Sequence, residues 1–239
     1  LGKLSGCDDY NLFLCNSGAE ANENALKVAS FKTGKSKIIA FNKAFHGRTS
    51  AAVAATDNPK IQAPLNNQQH VTFLPLGDLE AVENELKKGE TAAVIIEFIQ
   101  GVGGLDESTT AFYEGLDKLC KNYGAFLIAD EVQAGYGRTG KFFAFQQYKV
   151  TPDIISIAKG MGNGFPIGGI LLHPDIEASH GMLGTTFGGN HLACAAGLAV
   201  LDVMKEEALM ANATSTSQQF ISALKEIPEI KNIKGRGLM

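Results

Sequence analysis

Asp153-Ile154-Ile155-Ser156-Ile157-Ala158-Lys159-Gly160-Met161-Gly162-Asn163-Gly164 is the stretch on which the reading of this chain turns. An apolar run of strand length stops at a lysine, and the lysine opens a glycine-rich turn, so a lone amine is delivered off a strand end into a tight loop. Twenty-nine residues earlier (159 − 130), a second apolar run, Ala125-Phe126-Leu127-Ile128-Ala129, ends in Asp130-Glu131. A third, Leu12-Phe13-Leu14-Cys15, feeds Asn16-Ser17-Gly18-Ala19-Glu20, a turn that opens a helix. Amine, carboxylate and helix N-terminus can therefore share one sheet edge. Singly, each feature has an ordinary reading as a solvated surface lysine, a loop start or helix cap, and a plain turn. Their order along one chain is the informative part.

A pyridoxal 5'-phosphate site asks for these three things: an amine for the aldehyde, a carboxylate for the pyridinium nitrogen, and free N–H groups at a helix start for the phosphate. The wording of the chain is similar to the class III aminotransferases of the fold-type I pyridoxal phosphate family. Matching stretches are NSGAEANENA (16–25), FHGRTS (45–50), IIEFIQGVGG (95–104), LIADEVQAGYGRTGKF (127–142), DIISIAKGMGNGFPIGG (153–169) and GTTFGGNHLACAAGLAVLDV (184–203), which cover most of residues 12–203. Within the class, the resemblance is greatest to the acetylornithine and succinylornithine aminotransferases of arginine biosynthesis, with the ornithine aminotransferases next.

The resemblance implies a role for each site residue. Lys159 holds the cofactor and moves a proton, which requires it neutral near pH 7; burial and a cationic cofactor would lower its pKa. Asp130 pairs with the pyridinium nitrogen, Val132 and Phe45 lie against the two ring faces, and Gln133 sits near the phenolic oxygen. The N–H groups of Ser17, Gly18 and Ala19 face the phosphate, and Thr186 reaches the phosphate of a neighbouring subunit, so a homodimer is expected. Arg48 grips the α-carboxylate of the amino-acid substrate, since bidentate capture of a carboxylate calls for arginine and the chain has only Arg48, Arg138 and Arg236. Glu97 supports the substrate side of the site, and Arg138 orders its own loop. His46 stays open between a packing or hydrogen-bonding group and a functional one, while Glu20 and Glu23 fit a solvated or a capping role equally well.

Two positions depart from the family pattern. Where many relatives read Glu-Pro-Ile-Gln-Gly-Glu, residues 97–102 read Glu97-Phe98-Ile99-Gln100-Gly101-Val102. The lost carboxylate is paired with a substrate-binding arginine in the ornithine enzymes, which disfavours free ornithine here. His191 replaces the usual proline after Gly-Gly-Asn and is expected to alter only a helix start.

Composition agrees with an α/β enzyme domain: 239 residues at 45% hydrophobic and 19% charged can bury a sizeable core, and 27 glycines suit many tight turns. A net charge of −4, without basic runs, gives no footprint for nucleic acid. No apolar stretch approaches the roughly 20 residues that span a bilayer, and no secretory leader opens the chain, so a cytoplasmic location is expected. Cys7, Cys15, Cys120 and Cys194 lie far apart without metal-ligand spacing and read as reduced thiols, and no metal is expected. The expected division is a large cofactor-binding domain over 1–203, truncated at its N-terminus, followed by the start of a truncated small domain over 204–239.

Alternation of periods predicts a parallel α/β sheet. Strands are expected at 12–15, 37–41, 71–74, 92–98, 125–129, 154–158 and 167–172. Helices are expected at 19–31 stopped by Gly34, at 79–88 capped by Asp78, from Ser108 or Thr109 to Gly124, at 190–204 and at 206–227. In the 79–88 helix, Leu79, Val82 and Leu86 should face the sheet and Glu80, Glu83 and Glu85 the water. The expected activity is transfer of the terminal amino group of N-acetyl- or N-succinylornithine to 2-oxoglutarate. Ornithine, 4-aminobutyrate or another ω-amino acid is the alternative within the fold, and a non-catalytic cofactor-binding or dimerising fragment is the alternative outside it.

Overall fold

Six consecutive buried residues, Thr91–Ile96, form the strand at the heart of the molecule. A strand buried on both faces needs apolar side chains at every position, and Ala93 and Ile95 face one core while Val94 and Ile96 face the other. The computed structural model describes residues 1–66, 70–177 and 179–239. Among them the strands are β1 Asn11–Cys15, β2 Lys37–Phe41, β3 Val71–Leu74, β4 Thr91–Ile96, β5 Phe126–Asp130, β6 Ile154–Ile157 and β7 Gly168–Leu172. They join in one sheet of order β1-β7-β6-β5-β4-β2-β3.

The sheet is mostly parallel, as expected, with one reversal. β7 runs antiparallel to both β6 and β1. A parallel neighbour requires a crossover of about a dozen residues or more, and the segment between β6 and β7 holds only a short 3-10 turn, Lys159–Met161, so the chain simply turns back. The reversal brings the turn after Lys159 over the strand ends.

The helices are α1 Gly2–Ser5, α2 Gly18–Thr33, α3 Ser50–Ala54, α4 Leu79–Leu86, α5 Thr110–Tyr123, α6 His191–Glu206 and α7 Leu209–Lys225. α2 lies across one face, over β7, β6 and β4, and buries Ala21, Ala25, Leu26, Val28 and Ala29. Small residues on that stripe let it pack close to the sheet. α4 and α5 pair on the opposite face with Val82, Leu86, Phe112 and Leu116 inward, giving three layers.

Helix ends follow the signals in the sequence. Asp78 accepts from Ala81 N–H at 2.9 Å and Thr109 from Phe112 N–H at 3.2 Å, while Gly34 and Gly124 take the left-handed conformation that closes α2 and α5. α4 stops at Leu86, two residues before the expected Lys88. Its Glu83 and Glu85 are partly buried, where they accept from Tyr123 Oη at 2.9 Å and Thr72 Oγ1 at 3.3 Å. The short α1 and α3 were not anticipated; five residues or fewer carry too little periodicity to be read. Asn190 caps α6 through Ala193 N–H at 3.0 Å, with His191 in the first turn, so the departure from proline leaves the helix start intact.

α6 continues across the expected division at 203/204. It buries Ala193, Gly197 and Met204 while Leu192 and Leu198 stay exposed. Residues 234–239 return to the sheet's edge, where Arg236 pairs with Glu107 at 3.0 Å and Leu238 N–H donates to Arg138 O at 2.7 Å. Cys7, Cys15 and Cys120 are buried and all four cysteines are free. No helix among the described residues is long and apolar enough to cross a membrane.

Candidate active site

The C-terminal ends of β1, β2, β4, β5 and β6 all open on one edge of the sheet, where ligands bind in open α/β folds. Asp130 is the last residue of β5, Glu97 follows β4 directly, and Lys159 stands two residues past the end of β6. Ser17 lies two past β1, and Phe45 four past β2. A cavity of about 450 Å³ gathers them, with Gly18, Ala19, Arg48, Val132 and Gln133 in its wall. A larger depression of about 680 Å³ lies between α2 and α3, but its walls, Leu26, Phe31, Ile38 and Leu65 among them, are mostly apolar, and it contains neither Lys159 nor Asp130.

Asp130 is 4% exposed and engaged through both oxygens, with acceptor capacity left on Oδ1. Its Oδ2 accepts from Asn22 Nδ2 at 2.7 Å and stands 2.8 Å from His46 Nδ1, while Oδ1 accepts from Val132 N–H at 3.0 Å. With its proton on Nδ1, His46 donates to the carboxylate, the tautomer a carboxylate neighbour selects. Asn22 also donates to the carbonyl of His46 at 2.7 Å, so one amide ties α2, the Phe45–Thr49 loop and β5 together.

Glu97 is buried, and its two oxygens accept from Phe45 N–H and Gly101 N–H, both at 2.9 Å. Burial pushes its carboxyl above the usual carboxylate range, His46 and the two N–H donors pull it down, and the charge of Asp130 adds to the rise. With both oxygens turned to the backbone, it acts as a support for the Phe45 loop.

Lys159 carries an unusual backbone. Its φ of 44° lies in the left-handed region, which costs a non-glycine residue free energy. Its Nζ donates to Gln133 Oε1 at 2.5 Å. The burial expected of this amine is not supplied by the described residues, for Lys159 is exposed at the cavity mouth.

The start of α2 is shaped to take an anion. Ser17 caps it by accepting from Glu20 N–H at 3.2 Å, and Glu20 in turn accepts from Asn16 N–H at 2.8 Å. The first helical N–H groups, those of Gly18 and Ala19, have no intrahelical acceptor and lie at the positive end of the dipole. Glycine is required at 18, where a Cβ would stand 2.5 Å from Val132 Cγ1. An amine, an engaged carboxylate and open helix amides in one cavity fit pyridoxal phosphate.

Not every expected residue lies in this cavity. Thr186 lines a separate recess of about 370 Å³ with Asn16, Glu20, Glu23 and Thr49. Val102 is 64% exposed and lines none of the cavities described. Arg138 does not order its loop through its side chain, which makes no hydrogen bond or ion pair among the described residues; backbone bonds from Gly137 to Phe142 and from Gly140 to Gly137 do so instead. Arg138 lines a recess of about 330 Å³ beside Lys159, Gln133 and Leu238. Asn22 is a site residue that sequence reasoning missed. The available signal was a polar residue within the buried stripe of Ala21, Ala25 and Ala29.

Known proteins match along the same span. The model of the family described as aminotransferase class-III matches residues 1–239. The acetylornithine aminotransferase of Halalkalibacterium halodurans is 43% identical over 99% of this chain and 63% of its own length. The crystal structure of the ornithine aminotransferase from Toxoplasma gondii ME49 superposes with a TM-score of 0.90 at 32% identity, over 99% of this chain and 60% of that one. The taurine:2-oxoglutarate aminotransferase from Bifidobacterium kashiwanohense, solved in complex with PLP and glutamate, gives 0.89 at 27% identity over 99% and 60%. The chain thus spans about three fifths of the length of these relatives. A match over every residue, on a sheet whose strand ends carry Lys159, Asp130 and the α2 amides in one cavity, makes this chain a member of the class III aminotransferase family.

Proposed function

We propose that the protein is a pyridoxal phosphate-dependent aminotransferase that moves the terminal amino group of an N-acylornithine, N-acetylornithine first, to 2-oxoglutarate in arginine biosynthesis. The observation that carries the activity is the meeting of Lys159 with the engaged carboxylate of Asp130 in one cavity at the start of α2. The donor rests on the 43% identity to an acetylornithine aminotransferase and on Val102, where the carboxylate expected of an ornithine enzyme is absent. A homodimer with Thr186 serving the neighbouring site, the 1–203 and 204–239 division and a cytoplasmic location belong to the same reading.

When bound, pyridoxal phosphate supplies an aldehyde that condenses with amines and a protonated ring that takes up electrons released at the substrate carbon. The chain's own groups do the rest. Gly18 and Ala19 N–H, with the α2 dipole, hold the phosphate. Asp130 holds the ring nitrogen's proton, and Asn22, His46 and Val132 hold Asp130. Val132 and Phe45 would confine the ring and Gln133 would serve its oxygen, while Gln133 Oε1 already accepts from Lys159 Nζ. Lys159 takes and returns the proton at the reacting carbon, and Arg48 fixes the substrate carboxylate.

An absorbance titration of the full-length protein tests the reading. Borohydride should bleach a cofactor band near the edge of the visible, and N-acetylornithine should shift that band without any acceptor present. A donor panel then ranks N-acetylornithine above free ornithine and 4-aminobutyrate. No spectral response to any amino donor would leave only a cofactor-binding module.

A further inference from the structure

Along Phe45–Thr49 the chain is fastened at every residue but one. Phe45 N–H donates to Glu97 at 2.9 Å, and His46 N–H to Thr56 Oγ1 at 2.9 Å. Gly47 (φ 138°) presses on α2 so closely that a Cβ there would stand 2.8 Å from Ala19 Cβ. Thr49 Oγ1 donates to Glu23 Oε2 at 2.7 Å. Arg48 makes no hydrogen bond or ion pair among the described residues; it is exposed and stands in the wall of the cavity that holds Lys159.

The helix after Arg48 is fixed just as specifically. α3 begins at Ser50 with Thr49 as its N-cap, yet the Thr49 side chain makes no capping bond. Glu23, from the second turn of α2, supplies the cap. Its carboxylate accepts from Ala51 N–H at 3.0 Å and from Ala52 N–H at 2.9 Å, besides the Thr49 hydroxyl. A helix of five residues cannot hold its own position, because one turn gives too few bonds for the dihedral angles it fixes. Buried Ala52, Val53 and Ala54 and the Thr56 hydroxyl, which donates to Ala52 O at 2.9 Å, hold the body of α3, while the Glu23 carboxylate holds its first turn, next to the point where Arg48 leaves the backbone. Glu23 belongs to the same helix whose first turn receives the phosphate.

We propose that Glu23 is a positioning residue for substrate-carboxylate recognition: it locks the start of α3 to α2 and thereby sets Arg48 at a fixed distance from the phosphate cradle. The proposal rests on the reading of Arg48 as the group that grips the substrate carboxylate. Glu23 touches neither substrate nor cofactor. It acts on the carboxylate end of the donor alone.

The test compares two donors on the full-length holoenzyme, N-acetylornithine and N-acetyl-1,4-diaminobutane, which differ only in the α-carboxylate. Arg48→Ala should lower the kcat/KM ratio of the first over the second by about a hundredfold, the scale of a lost charge-assisted bidentate contact. Glu23→Gln, which replaces one acceptor oxygen by a donor facing the Ala51 and Ala52 amides, should lower the ratio by about tenfold. That loss should lie in KM of the carboxylated donor, with the decarboxylated donor changed less than about twofold. Hydrogen exchange at Ala51 and Ala52 should quicken in Glu23→Gln, and adding Glu23→Gln to Arg48→Ala should lower the ratio no further. Thr49→Val, which removes only the hydroxyl donor, should give the same pattern at smaller amplitude and serves if Glu23→Gln does not accumulate. An unchanged ratio in Arg48→Ala would overturn the reading of Arg48. A collapsed ratio in Arg48→Ala with an unchanged ratio in Glu23→Gln, or equal losses for both donors, would overturn the role of Glu23 alone.

Discussion

Glu131 follows Asp130 in the chain, yet it faces away from the cavity and is 0% exposed. Its oxygens accept from Ala144 N–H at 2.8 Å and Phe145 N–H at 2.9 Å, which pins the far end of the loop that carries Val132, Gln133 and Arg138. No cation pairs with it among the described residues. Burial therefore dominates and pushes the carboxyl from 4.5 up to about 8, the two amides offset part of the rise, and Asp130 adds a little. Between those values the folded chain keeps a proton that the unfolded chain has released. The stability this group contributes is then fully present below pH 4.5, falls by about 1.4 kcal/mol per pH unit, and is lost as pH rises through about 8. Over the whole window the loss is on the order of 5 kcal/mol. Glu131→Gln keeps an acceptor for one amide and cannot titrate. Native-state hydrogen exchange of the β5 amides Leu127–Ala129, measured from pH 5 to pH 8 and corrected for intrinsic rates, should show the wild type losing opening free energy relative to Glu131→Gln across that range. Parallel curves would refute the reasoning and mean that the two amides keep Glu131 ionised throughout.

Lys159→Ala should abolish the borohydride-sensitive absorbance and cut turnover by several orders of magnitude while phosphate-anchored cofactor stays partly bound; near-normal turnover would remove Lys159 from the chemistry. Inactive Lys159→Ala subunits mixed with inactive Thr186→Ala subunits should regain activity, near half the wild-type rate per heterodimer, because one site then carries both lesions and the other neither. Failure to recover despite proven subunit exchange would assign Thr186 to its own subunit's site. Val102→Glu in the full-length protein should raise the kcat/KM ratio of free ornithine over N-acetylornithine by about tenfold if about 1.4 kcal/mol of charge interaction is regained. An unchanged ratio would show that residue 102 does not govern the donor.

The sequence alone determined the elements and the main chemical groups. The cap at Asp78, the start of α5 at Ser108 or Thr109 and the stops at Gly34 and Gly124 are local events, fixed by a side chain or a left-handed residue and the amides within one turn of it, so they are readable without knowing where the rest of the chain lies. The strands alternate or run apolar for the same reason. Lys159, Asp130 and Gly18 were legible because each ends or begins such an element, and strand ends of a parallel sheet share an edge.

Tertiary structure decided what depends on residues far apart in the chain. The reversal of β7 follows from a short turn that must fit over its neighbours, and the order of strands puts β7 between β1 and β6 although it comes last. Asn22 was hidden because its partners, His46 and Asp130, lie 24 and 108 residues away. Glu23 could be read as a solvated or capping residue, but which helix it caps is settled only when α3, 28 residues on, packs beside α2. The exposure of Lys159 likewise has no local signal. A side chain's covalent neighbours set its rotamers and backbone, while its solvation and hydrogen-bond partners come from whatever the fold carries into contact with it.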